Sequence, residues 1–300
     1  MALEYRSFIA QDGAEILYVD QGVGRPLIFV EGFRDIVDSS QAHIARWSEN
    51  FRCVLFDHRG YGKSPIASNV GIEQSARDLH ELLEYLDVHD AALVGYSMGG
   101  SVAFSYFQQF GNDRIGRLVL VDTTPKLINE DGWSLGLWQG RYTREDFDFD
   151  MRMVVENPVL FHMSFYLHAA LQSPQDAPPT YPPKDDTDAW LAAIVEHTGL
   201  RERLARRVFY LESSSELREL EQKYWKSMTG GDWLSAVSQI NVPTMCLYAS
   251  PGSFYAPRTG EWLAREIPNA RLEIVENSTH LMPKDNFEEF VTKIAGFCAE

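Results

Sequence analysis

Chemistry in this chain centres on one serine. Gly95-Tyr96-Ser97-Met98-Gly99 joins the apolar run AALVGY to MGGSVAFSYFQQF, a segment patterned as a helix. A G-x-S-x-G pentad is weak alone, but a strand that turns straight into a helix holds its central residue in a strained conformation, and flanking glycines remove side chains that would clash. Ser97 is then exposed at the C-terminal edge of a sheet, with the Met98 N–H and the helix N-terminus aimed at any oxyanion beside it. The plainer alternative makes Ser97 a helix N-cap and nothing more. A serine hydroxyl attacks poorly until an imidazole takes its proton, so one of the eight histidines must serve as base.

The elements that must position this serine follow from apolar periodicity. EILYVDQG, PLIFVEG, FRCVLFD, AALVGY, RLVLVD, PTMCLYAS and RLEIVE read as strands, most of them short continuous runs of the kind buried on both faces of a parallel sheet. Between them, IEQSARDLHELLEYL repeats Ala76, Leu79, Leu82, Leu83 and Leu86 at helical steps, a crossover helix; TGEWLAREI and NFEEFVTKIAGFCAE close the series. The expected fold class is α/β, with a mostly parallel, doubly wound sheet. Residues 123–242 break the rhythm: they are helical in pattern, rich in Trp, Tyr, Phe and Met, and interrupted by the Pro-rich SPQDAPPTYPPKDD. The expected division is a core of 1–122 and 243–300 with a helical cap inserted at 123–242.

At this point the chain resembles the α/β-hydrolase fold family. The motifs that carry the resemblance are Asp57-His58-Arg59-Gly60-Tyr61-Gly62-Lys63-Ser64, similar to the family's D-x-R-G-x-G-x-S loop, and Ser97-Met98-Gly99-Gly100 after the serine turn. The resemblance covers nearly all of the chain except the cap. It implies that His280, in the loop after RLEIVE, is the base; His58 in the glycine-rich loop and His43 and His80 on helices read as polar surface or loop residues. The family's usual acid position, after PTMCLYA, is empty here, since no carboxylate precedes Glu261. The family's other position, the end of the preceding strand, points to Asp122. Adjacent parallel strands end about 5 Å apart, so a carboxylate moved between them still reaches the same imidazole. The competing reading has Asp122 capping a turn, leaving a Ser-His dyad with Ser253 as helper. Where the family commonly reads His-Gly, this chain reads Val30-Glu31-Gly32-Phe33-Arg34-Asp35. The Phe33 N–H is then the second oxyanion donor beside Met98. Glu31 either ion-pairs with Arg34 or Arg59 or alters the protonation of the site and its choice of substrate.

The reaction expected is hydrolysis of a carboxylic ester or lactone through an acyl-enzyme on Ser97. Glu31, Trp138, Phe161, Phe165 and Leu281 are candidate substrate-site residues, and the aromatic cap suits an apolar or aromatic small molecule. Carbon–carbon bond hydrolysis or perhydrolysis on the same residues, and a ligand-binding receptor with little turnover, are the alternatives. No dinucleotide fingerprint or metal-ligand spacing is present, so no cofactor and no metal are expected. A net charge of -16 argues against nucleic acid and anionic membrane as partners. No apolar stretch approaches the ~20 residues of a membrane span and no signal-like segment opens the chain, so a cytoplasmic location is expected. Cys53, Cys246 and Cys298 are too scattered for a disulfide framework and read as buried thiols.

Overall fold

The computed structural model describes residues 3–170, 183, 186–198, 215–252 and 254–300. The apolar runs form one sheet of eight strands: β1 (Tyr5–Ile9), β2 (Glu15–Gln21), β3 (Pro26–Val30), β4 (Arg52–Phe56), β5 (Ala91–Tyr96), β6 (Ile115–Val121), β7 (Thr244–Pro251) and β8 (Ala270–Ser278). Their order across the sheet is β1-β2-β4-β3-β5-β6-β7-β8. Pairing is parallel from β4 to β8 and antiparallel where β2 meets β1 and β4. Every residue of β5 is buried, as a strand covered on both faces must be. The one strand absent from the sequence reading, β1, lies at the sheet's edge, and its Arg6 and Ser7 are exposed.

Helices clothe both faces. α2 (Ile72–Tyr85), α3 (Met98–Phe110) and, after β7, the helix Pro257–Glu266 pack Leu79, Leu82, Val102, Phe104 and Leu263 into one apolar cluster. α1 (Gln41–Trp47) and the closing helix Phe287–Ala299 pack Ile44, Trp47, Phe290 and Ile294 into a second, on the opposite side. The Trp47 indole N–H donates to the Val291 carbonyl at 3.1 Å, tying those two helices together. The DHRGYGKS loop is scaffold: the Arg59 guanidinium forks onto Asp78 at 2.8 and 2.6 Å and also reaches Asp12, while the Asp57 carboxyl accepts the N–H groups of Val37 and Lys63.

Between β6 and β7 no described residue joins the sheet. This stretch holds α4 (Arg144–Glu156), α5 (Pro158–Ala170), α6 (Thr187–Thr198) and α7 (Ser215–Thr229). Its base is closed by a bridge between Lys126 and Asp232, whose side chains pair at 2.9 Å. Phe161, Tyr224 and Trp225 join the same cluster as α2 and α3, whereas Leu160, Met163, Leu167 and Trp190 form a small cluster of their own. Among the described residues no helix is long and apolar enough to cross a membrane.

Candidate active site

β5 passes into α3 through Ser97 alone, which adopts φ 54° and ψ -115°. Only small neighbours permit so abrupt a turn: a Cβ on Gly99 would lie 2.0 Å from the Val30 carbonyl oxygen, and one on Gly95 2.5 Å from that of Gly99. The serine's own backbone is fixed, its N–H donating to the Val121 carbonyl and its carbonyl accepting the Thr123 hydroxyl, both at 3.0 Å. Its side chain makes no capping bond to α3 and so stays available for chemistry.

The acceptor waiting for it is His280, two residues past β8. Nε2 stands 2.9 Å from Ser97 Oγ and Nδ1 stands 2.5 Å from Asp122 Oδ2. A carboxylate oxygen accepts, so Nδ1 carries the proton and Nε2 is left to receive one from the serine. The Tyr96 hydroxyl donates to the His280 carbonyl at 2.8 Å, and the Tyr96 and Phe254 rings lie against the imidazole at 5.3 and 4.4 Å between centroids. Asp122 follows β6, fully buried at φ 42°, with its N–H on the Leu247 carbonyl of β7. Its carboxyl caps no turn: Oδ2 meets His280 and Oδ1 has no hydrogen-bond partner. Ser253, the suggested helper, lies outside the described residues.

β3 neighbours β5, so its loop leaves the same edge of the sheet. There Gly32 leads to Phe33, whose ring packs on Trp225, Phe165 and Phe161 at 5.3, 5.9 and 6.4 Å. Arg34 pairs with the fully buried Glu221 of α7 at 2.7 Å, and His162 of α5 meets the same carboxyl at 3.3 Å. This corrects the ion-pair reading of Glu31: Arg34 is engaged by Glu221 and Arg59 by Asp12 and Asp78. Glu31 is instead buried beside Asp35 and Ser40. Burial first, then the negative charge of Asp35, pushes its carboxyl well above the usual range.

A cavity of about 110 Å³ opens on Ser97 and His280, with Glu31, Phe33, Phe165 and Leu281 in its wall. Trp138 and Phe161 are elsewhere, in a neighbouring space of about 10 Å³ that Phe165 also lines. Trp138 is spent on packing, its ring stacked on His168 at 4.0 Å, and Phe161 fills the gap between Phe33 and Trp225. His43 and His58 are buried rather than superficial. His43 lines the main cavity, and burial pushes His58 down to about 4. Sequence reasoning missed Tyr96, Asp35 and Lys284 as cavity residues. Tyr96 stood within the serine pentad, but Asp35 and Lys284 carry no motif. Among the described residues no cluster of His, Cys, Asp and Glu is arranged to hold a metal ion.

A family model described as alpha/beta hydrolase fold matches residues 25–287. The chain is 26% identical over 278 residues to a non-heme chloroperoxidase of Kitasatospora aureofaciens, covering 90% of each. Over 131 residues it is 33% identical to a bifunctional esterase/perhydrolase of Acinetobacter calcoaceticus, covering 41% of this chain and 48% of that protein. Among solved structures, an esterase from Exiguobacterium antarcticum superposes with a TM-score of 0.77 at 20% identity, covering 99% of this chain and all of that one. An enol-lactonase from Burkholderia xenovorans gives 0.72 at 19% identity over 98% of this chain and all of its own.

Proposed function

The chain belongs to the α/β-hydrolase fold family, and from that premise we propose that it is a serine hydrolase cleaving a carboxylic ester or lactone through an acyl-enzyme on Ser97. The observation that carries this reading is the unbroken hydrogen-bonded chain from Ser97 Oγ through His280 to Asp122, at 2.9 and 2.5 Å. His280 Nε2 takes the hydroxyl proton as Oγ attacks the carbonyl carbon, and the N–H groups of Phe33 and Met98 hold the oxyanion. The imidazolium then protonates the leaving alkoxide. Water, deprotonated by the same Nε2, attacks the acyl carbon; the bond to Oγ breaks and the proton returns to Ser97. Asp122 keeps Nδ1–H in place and offsets the positive ring.

The described helices between β6 and β7 act in this reading as a cap, supplying Phe165 to the substrate cavity. A fluorophosphonate probe and 4-nitrophenyl acetate and butyrate test the proposal. The expected result is a covalent adduct at Ser97 and ester turnover, both lost in Ser97→Ala. A protein that leaves the probe unbound and the esters intact would be a binding protein instead.

A second reading, perhydrolysis, is favoured by the names of the chloroperoxidase and esterase/perhydrolase relatives. Hydrogen peroxide would replace water in attacking the acyl-enzyme, releasing a peracid and restoring the Ser97 hydroxyl. Peracid formed from acetate and peroxide, compared with ester hydrolysis at equal enzyme, separates the two.

A further inference from the structure

The cavity holding Ser97 carries an acidic group that the hydrolytic mechanism does not use. Glu31 is only 3% exposed, its Oε1 has no hydrogen-bond partner, and Arg34 and Arg59 are paired with other carboxylates. Around it the wall mixes apolar Phe29, Phe165 and Leu281 with polar Ser39, Ser40, His43 and Lys284. The Asp35 carboxyl folds back over Gly32, where a Cβ would meet its Oδ2 at 2.8 Å. A buried acceptor left without a donor is disfavoured in an empty site, and a ligand that supplies the missing donor removes the penalty.

We propose that Glu31 is a specificity-determining residue, its free carboxyl oxygen accepting a hydrogen bond from a hydroxyl or amine that the ester or lactone carries near its reacting carbonyl. The proposal rests on the acyl-enzyme reading of Ser97. Burial and Asp35 push the Glu31 carboxyl well up, against the opposing effects of the Ser40 hydroxyl and the Lys284 ammonium. A protonated carboxyl both donates and accepts, which suits a hydroxyl better than a cation. Discrimination of this kind arises because an analogue lacking the donor leaves the buried oxygen unpaired.

The test compares kcat/KM for three 4-nitrophenyl esters that differ at one position: butyrate, 3-hydroxybutyrate and 3-aminobutyrate. The unsubstituted protein is expected to prefer the hydroxyl ester to the plain one by about tenfold or more. Glu31→Leu should bring that ratio to within about twofold, and Glu31→Gln, which keeps a donor and an acceptor in place, should retain most of it. A larger gain for the ammonium ester supports the contact and assigns it to an ionised Glu31. Equal rates on all three esters, or a ratio unchanged in both variants, overturn the proposal. The affinity of Ser97→Ala for methyl 3-hydroxybutyrate and methyl butyrate reads the same contact without turnover. Equal affinities overturn it even if no ester is cleaved, whereas a clear preference without cleavage sinks only the hydrolytic reading.

Discussion

At the scale of the residue, the site depends on which nitrogen of His280 bears a proton. Asp122→Asn keeps the shape but offers an N–H to Nδ1, favouring the tautomer that cannot accept from Ser97. We expect kcat to fall by about 10³ to 10⁴ with little change in melting temperature, measured on the same ester. His58 makes a separate prediction, about stability. Its ring is buried against Phe56 and Tyr224, and its folded pKa of about 4 lies below the ordinary 6.5. The folded state therefore refuses a proton that the unfolded chain accepts, so stability is whole above pH 6.5 and is lost as pH falls towards 4. His58→Gln lacks this loss, and urea unfolding should show it gaining about 3 kcal/mol relative to the parent between pH 7 and pH 4. Ser97 was legible in the sequence because its constraint is local, a glycine on either side of one turn. Asp35 and Lys284 were not, because they approach the serine only when the loops after β3 and β8 meet at one edge.

Elements convert that local geometry into a working arrangement. α3 can start directly after β5 only because Gly99 clears the Val30 carbonyl. Gly99→Ala is expected to destabilise the fold by about 3 kcal/mol or more and to abolish probe labelling, readable by thermal melting and mass spectrometry. The loop after β3 is held by helices that lie between β6 and β7: Phe33 wedges against α5 and α7, and Arg34 meets Glu221. Arg34→Met leaves a buried carboxylate with only His162 beside it. It should lower stability by about 1–3 kcal/mol and reduce kcat more than it raises KM, because the Phe33 N–H loses its support. Adding Glu221→Met should recover the stability without the activity. The other strands, α2, α3 and the helices Pro257–Glu266 and Phe287–Ala299 were legible as apolar periodicity, whereas the short α1 was not, nor was edge strand β1, since exposure of Arg6 and Ser7 dilutes its pattern. The aromatic residues of 123–242 gave no sign of which would face substrate, because a ring packed on a neighbouring ring and a ring lining a cavity have the same composition.

At the scale of the whole molecule, two apolar clusters sandwich the sheet, and all three cysteines are wholly inside. Burial pushes each thiol up to about 12. A thiol reagent should therefore find none of them within minutes in the native protein and all three in guanidinium, and the slow native reaction should report global opening. Among the described residues, a space on Ser97 and a smaller one beyond it share the ring of Phe165 in their walls. That single ring is a partition. Cut back to alanine, it is expected to merge the rooms, so Phe165→Ala should accept longer acyl chains than the parent, a change made between β6 and β7 and not in the sheet that carries Ser97.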